Sequence, residues 1–562
     1  MNTKLKQIMS KMFTWQWIAV IAIFMLGFTF GQRKAEISQE VIAMAEQLIG
    51  LEFTPAERDS MIGNLNGHLR NYENLRKNEI GNEVAPAMIF NPLPIGYQPR
   101  EPQKPTNWGL KSKVTLPAND VDIAFMPVAD LAVLIKNKQI TSERLTRIYI
   151  DRIKRYGDTL ETVITLMENQ AIAQARKADQ EIKQGKYRGP LHGIPYGIKD
   201  LLAVKGTKTT WGAAPYKDQV IDRTATVVQK LDEAGAVLVV KLTLGALAMG
   251  DEWYGGTTRN PWNLRQGSSG SSAGSASAVS AGLVPFAIGT ETLGSIVSPS
   301  TRNGVTGIRP TFGRVSKYGA MALSWSMDKI GPIGRDALDC AIVLDAISGR
   351  DELDPSTIAA PLNYDANWDI KKMKIGYFSD YFEGRYASKR QDSTALEVFK
   401  KLGVELIPVK MDVGFDPSPL ITILSAEAGA AFDELTRSNQ DDLLKMQNKG
   451  AWPNFFRAAR FVPAVEYIQA NRMRSILIER MNELMKEYDA IITPSFGGSQ
   501  LLVTNLTGHP AVVMPNGYNN QGSPTSFTII GNLFEEGKIA RVAKAYQDQT
   551  IFDEAKPPLF AK

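Results

Sequence analysis

"QGSSGSSAGSASAVSAG" occupies residues 266–282 and holds seven serines. By composition it would be a flexible linker. Yet it runs straight into "LVPFAIGTETLGSI" at 283–296, an apolar run followed by a second turn of small residues. A linker there would interrupt the most strand-like part of the chain. The alternative is a tight serine-rich loop feeding a buried helix, with a serine cap and alanines behind it. Glycine allows turns that other residues avoid. Such a loop offers backbone N–H groups and hydroxyls at a helix start, which suits an anion or a polarised carbonyl.

The second turn, "GTETLGS", ends at Ser295. Its spacing places the N–H groups of Thr292, Leu293 and Gly294 around a serine hydroxyl, the makings of an oxyanion hole beside a nucleophile. A serine needs a base. The three histidines are His68, His192 and His509, and none stands in a nucleophile-partner motif. The nearest approach to GxSxG is "GSSGS", centred on Ser269, but "NPWNLRQ" precedes it where a buried strand would be needed. A lysine serves instead when desolvation keeps it neutral. Lys199 is the candidate, inside the apolar strand "GIPYGIKDLL". Strand alternation sends Asp200 to the opposite face. The plainer reading of such a lysine is a snorkelling or salt-bridged residue.

Around this centre, short apolar strands ("AVLVVK", "KIGYF", "VELIPV", "DAIITP", "AVVMP", "TSFTII") alternate with amphipathic helices such as 142–156, "STALEVFKKLG" and "FEEGKIARVAKAYQ". The longer run "HGIPYGIKDLLAV" also reads as a strand. This pattern predicts an α/β fold with a large mixed sheet covered by helices on both faces. The main domain is expected at 119–562. A connector with seven prolines precedes it at 84–118, and a helical extension at 32–83 begins its second helix with Thr54, Pro55 and Glu57, a capping box. The extension is read either as a cover for the site entrance or as a homodimer contact, and the sequence does not choose.

Residues 1–31 carry Lys4, Lys6 and Lys11 and then an apolar stretch from Trp15 to Phe30. That is the pattern of a signal peptide or an uncleaved N-terminal membrane anchor. It predicts an exported protein, periplasmic or extracellular, or an anchored one. The formal charge of +5 on 562 residues gives no basic surface for nucleic acid. The single cysteine, Cys340, excludes a disulfide framework and reads as a buried thiol in an apolar helix.

"GSSAGSASAVSAGLVPFAIGTETLGSIVSP" resembles the signature segment of the amidase signature family. "PLHGIPYGIKD", "GTTRNPWN", "VTGIRPTFGRVS", "IGPIGRDALDCAIVLDAISGRD" and "NLTGHPAVVMPNG" match its other segments in order, over about residues 120–560. The resemblance implies a Ser–cis-Ser–Lys triad, with Ser295 as nucleophile, Ser271 as bridge and Lys199 as base. Ser268 is a competing bridge, three residues too far from Ser295. The resemblance implies hydrolysis of a small-molecule carboxylic amide through a serine acyl-enzyme, with no metal or cofactor. Its alternatives are the A subunit of a tRNA-dependent amidotransferase and a noncatalytic binding protein. Leu293 stands where the family often has glycine, and Val297 where it often has arginine. Trp211, Trp253 and Tyr254 are read either as pocket lining or as packing around the sheet.

Overall fold

The computed structural model describes residues 37–78, 80–99 and 101–562. They divide into two units between Gly81 and Asn82. The signal or anchor segment expected at 1–31 lies outside the described residues. Among the described residues, no helix is long and apolar enough to cross a membrane.

In the first unit, Ser38 caps α1 (Gln39–Ile49) and Gly50 ends it at φ +67°. Thr54 and Glu57 close the capping box of α2 (Pro55–Leu75). An ion pair of 2.6 Å between Arg58 and Glu46 joins the two helices. No residue of α2 is buried.

The second unit is built on one sheet of eleven strands. In chain order they are β1 (Val163–Leu166), β2 (Pro195–Lys199), β3 (Val237–Leu242), β4 (Phe286–Glu291), β5 (Thr306–Arg309), β6 (Lys329–Gly334), β7 (Ile375–Phe378), β8 (Leu406–Val409), β9 (Ala490–Pro494), β10 (Ala511–Tyr518) and β11 (Pro524–Gly531). Their order across the sheet is β1-β3-β2-β4-β6-β5-β10-β11-β9-β7-β8. The sheet is mixed: β2 runs parallel to β3 and β4, while β4–β6 and β10–β11 are antiparallel. Every residue of β2, β3, β4, β5 and β6 is buried, so both faces of the centre are covered. Residues 84–118 contain no helix or strand among those described. This connector is tied down by Asn107 N–H, which donates to Tyr364 O at 3.0 Å, and by Trp108, which stacks on Tyr364.

Two expected boundaries shift. The helix expected at 142–156 keeps its Thr141 cap but continues as α3 (Ser142–Leu160), passing through Gly157. The strand read over "HGIPYGIKDLLAV" covers only Pro195–Lys199. The chain turns there because Asp200 accepts hydrogen bonds from Thr210 N and Oγ1 and pairs with Lys241 at 2.8 Å. The partner of Asp200 is thus on another strand, and Lys199 is left without it.

The serine-rich stretch becomes α4 (Ala273–Ser280), buried along its whole length. Small residues let this helix press against the sheet. A Cβ on Gly274 would stand 2.6 Å from Thr243 N. The hydroxyls do not float free: Ser275 donates to Ile288 O, Ser277 to Arg259 O and Ser280 to Asn303 O, at 2.7–3.0 Å. A buried hydroxyl left unpaired would cost about 1–3 kcal/mol.

Candidate functional site

Parallel β2 and β4 are neighbours in register, with Ile198 opposite Ile288. Their C-terminal ends therefore open at the same edge, the usual ligand side of parallel strands. Lys199 ends β2 with its side chain fully buried. Its Nζ lies 2.8 Å from Ser271 Oγ, 2.8 Å from Thr290 Oγ1 and 3.1 Å from Ser272 Oγ. Among the described residues, no carboxylate forms an ion pair with it. Burial pulls its pKa down to about 7, against the opposing pull of Asp328 and Glu291.

Ser272 and Thr290 were not singled out from the sequence. Ser272 Oγ donates to Thr290 O and accepts from Thr290 N, both at 3.0 Å. Its one proton is committed, so toward Lys199 it only accepts. A neutral amine has two N–H donors and one lone pair. An amine whose two donors turn to Ser272 and Thr290 would present its lone pair to Ser271. The signal for these two residues lay in strand register, which places Thr290 beside the end of β2.

The Gly270–Ser271 peptide bond is cis. Ser272 N–H donates to Ser295 O at 3.2 Å, which sets the two serine loops side by side. Ser295 is 9% exposed, and its hydroxyl makes no hydrogen bond among the described residues. The structure thus brings Lys199 and Ser271 into contact and places Ser295 in the adjoining loop, its hydroxyl unbonded.

Ser295 precedes α5 (Val297–Asn303). The buried carboxylate of Glu291 accepts from Ile296 N at 2.8 Å and Val297 N at 3.0 Å. Burial would raise its pKa, but Arg309, the Val297 N–H and Lys329 hold it down at about 2. The next N–H groups back, those of residues 292–295, donate to no acceptor among the described residues. Thr292 Oγ1 donates to Asp328 at 2.6 Å, which anchors the start of this turn. Gly294 has φ +85°, a left-handed conformation that favours glycine. Leu293, which stands where the family often has glycine, is half-buried and packs against the hydrophobic core.

A cavity of about 90 Å³ abuts this centre, lined among others by Thr290, Thr292, Trp325, Asp328 and Lys329. Trp211, Trp253 and Tyr254 are absent from its wall. Trp211 packs instead against Tyr216 and Phe432, and Trp253 against Tyr254. Neither histidine of the second unit joins the serines. His192 meets Arg188 N and Glu181, and His509 meets Thr507. Cys340 is fully buried.

The Amidase family model matches residues 144–502. The glutamyl-tRNA(Gln) amidotransferase A subunit of Dehalococcoides mccartyi strain 195 is 33% identical over 489 residues, covering 78% of this chain and 100% of the relative. Among solved structures, the native peptide amidase of Stenotrophomonas maltophilia is 28% identical, with a TM-score of 0.68 over 76% of this chain and 98% of that one. The glutamyl-tRNA(Gln) amidotransferase A subunit of Thermotoga maritima is also 28% identical, with a TM-score of 0.64 over 78% of this chain and 97% of that one. By sequence and by fold, the chain belongs to the amidase signature family and is an enzyme of amide chemistry.

Proposed function

We propose that the chain hydrolyses a carboxylic amide to the acid and ammonia or an amine, through an acyl-enzyme on Ser295. The observation that carries this reading is the buried amine of Lys199, 2.8 Å from Ser271 Oγ and without a carboxylate partner among the described residues. Ser271 passes its proton to the Lys199 lone pair and takes the proton of Ser295 in return. Ser295 Oγ attacks the carbonyl carbon, and the oxyanion meets the N–H groups of residues 292–295. As the C–N bond breaks, the proton returns through Ser271 to the departing nitrogen, a poor leaving group without it. Water then repeats the sequence and frees the acid. The Ser295 hydroxyl closes onto Ser271 when substrate is bound; catalytic hydrogen bonds are often long in a free enzyme.

A second reading is the A subunit of a glutamyl-tRNA(Gln) amidotransferase, working with further subunits. The curated relatives favour it more directly than a free-standing amidase, since those at 31–33% identity carry that name. The two separate in one experiment. The purified chain alone is offered linear amides and glutamine, and ammonia is measured. Turnover without a partner supports the first reading, and turnover only after partner subunits are added supports the second. In either case Ser295→Ala abolishes labelling by a fluorophosphonate, and retained labelling would move the nucleophile elsewhere. The charged-then-apolar residues 1–31 support export or anchoring of this activity. N-terminal sequencing of the native protein tests this: a start near residue 32 supports a cleaved signal, an intact start an anchor.

A further inference from the structure

We propose that Asp251 is a positioning residue for the reaction: its carboxylate holds the loop that presents Ser271 to Lys199. The inference rests on the amide hydrolysis proposed above. Asp251 Oδ2 accepts from Ser269 N at 2.7 Å. Ser269 has φ +59°, a left-handed conformation that a non-glycine residue holds only when its surroundings impose it. The loop wraps closely around residues 250 and 251. A Cβ on Gly267 would stand 2.1 Å from Asp251 Oδ2, and one on Gly270 would stand 1.7 Å from Gly250 O. That contact is the reason for glycine at both places.

The loop has further ties at Ser268 and Ser269. Ser268 N–H donates to Thr258 O at 2.8 Å, Asn303 Nδ2 donates to Ser268 O at 2.8 Å, and the Ser269 and Ser298 hydroxyls share a hydrogen bond of 2.8 Å. Beyond Ser271, the N–H of Ser272 is held by Ser295 O. Ser271 therefore sits between two pinned N–H groups, one held by Asp251 and one by the nucleophile's own carbonyl. Releasing the first lets Gly270 and Ser271 swing while Lys199 stays fixed in its strand. The bridge hydroxyl then loses its place on the Lys199 lone pair, and proton transfer slows with no contact to substrate removed.

The test compares Asp251→Ala, Asp251→Asn and wild type in steady-state amide hydrolysis and fluorophosphonate labelling. Asparagine keeps an oxygen that accepts from Ser269 N–H, and alanine does not. Asp251→Ala is expected to lower kcat about 100-fold, the usual effect of a misplacement near 1 Å, with KM little changed. Asp251→Asn is expected to restore most of the turnover. Equal turnover in folded Asp251→Ala and wild type overturns the proposal, as does an asparagine variant as slow as the alanine one. A raised KM at unchanged kcat also overturns it, since that marks a substrate contact. If Asp251→Ala does not fold, Asp251→Glu keeps the charge and moves the acceptor by one methylene. A fall in kcat supports positioning, and unchanged kcat overturns it. Wild type that is neither labelled nor active sinks the hydrolytic reading itself. Labelled wild type with an equally labelled alanine variant sinks only the role of Asp251.

Discussion

Burial sets the chemistry of Lys199, and it also sets a cost. In the unfolded chain a lysine titrates near 10.5, whereas in the fold this one titrates at about 7. Between those values the unfolded chain binds more protons than the folded one, so wild-type stability rises with pH across that window. Below pH 7 both states carry the proton and the full cost of the buried ammonium is present. Lys199→Met removes the titration and fills similar space. Its unfolding free energy relative to wild type should therefore narrow by about 1.4 kcal/mol per pH unit between pH 7 and pH 10. Urea unfolding of both proteins at pH 7, 8 and 9 measures this, and parallel behaviour would mean a lysine that titrates as if solvated. On the proposed mechanism the same group should set the acid limb of wild-type kcat/KM near pH 7, since protonation would block the lone pair that takes the proton of Ser271.

At the scale of elements, the serine-rich stretch is a loop and a buried helix rather than a linker because its neighbours leave room for nothing larger. Gly270 shows this most sharply, since its added Cβ would meet the Gly250 carbonyl at 1.7 Å, backbone against backbone. No side-chain rotation relieves such a clash. Gly270→Ala should lower turnover by about 100-fold or more through displacement of Ser271. Gly63→Ala in α2, where a Cβ meets nothing within 4 Å, should leave turnover unchanged. Equal kinetics in the two variants would show that the loop tolerates a shift. This element also shows what was legible in the sequence. Lys199 stood out as a charge in an apolar strand, and Ser271 and Ser295 by the spacing of the family pattern. Ser272 and Thr290 did not: Thr290 reaches Lys199 through the register of β2 and β4, and Ser272, just before α4, is aimed by its bonds to the Thr290 backbone. Nor did Glu291, whose part in the turn lies in accepting from Ile296 N and Val297 N. Asp328, 36 positions beyond Thr292, reaches it only because β6 pairs with β4. The strand drawn through residue 204 was too long because apolar pattern alone does not show the Asp200–Lys241 pair that ends it.

At the scale of the molecule, the division at Gly81 leaves the described site wholly within the second unit. Lys199, Ser271, Ser272, Thr290, Ser295 and Asp328 all belong to that unit, as does every partner described for them. The first residue of the unit is itself an anchor. The Asn82 amide donates to Ala322 O at 2.8 Å and accepts from Ala322 N at 2.7 Å, close to the cavity that Thr290 and Thr292 line. A chain beginning at Gly81 keeps this two-point clamp, while one beginning after Asn82 loses two part-buried hydrogen bonds worth about 0.5–1.5 kcal/mol each. The chain from Gly81 should therefore unfold in one transition and hydrolyse amides with the kcat/KM of the full chain. The same chain carrying Asn82→Ala should melt lower, with its fluorophosphonate labelling intact at low temperature. Calorimetry and labelling of the two measure both expectations. A folded Gly81 chain that no longer turns over substrate would give the N-terminal helical hairpin a part in catalysis.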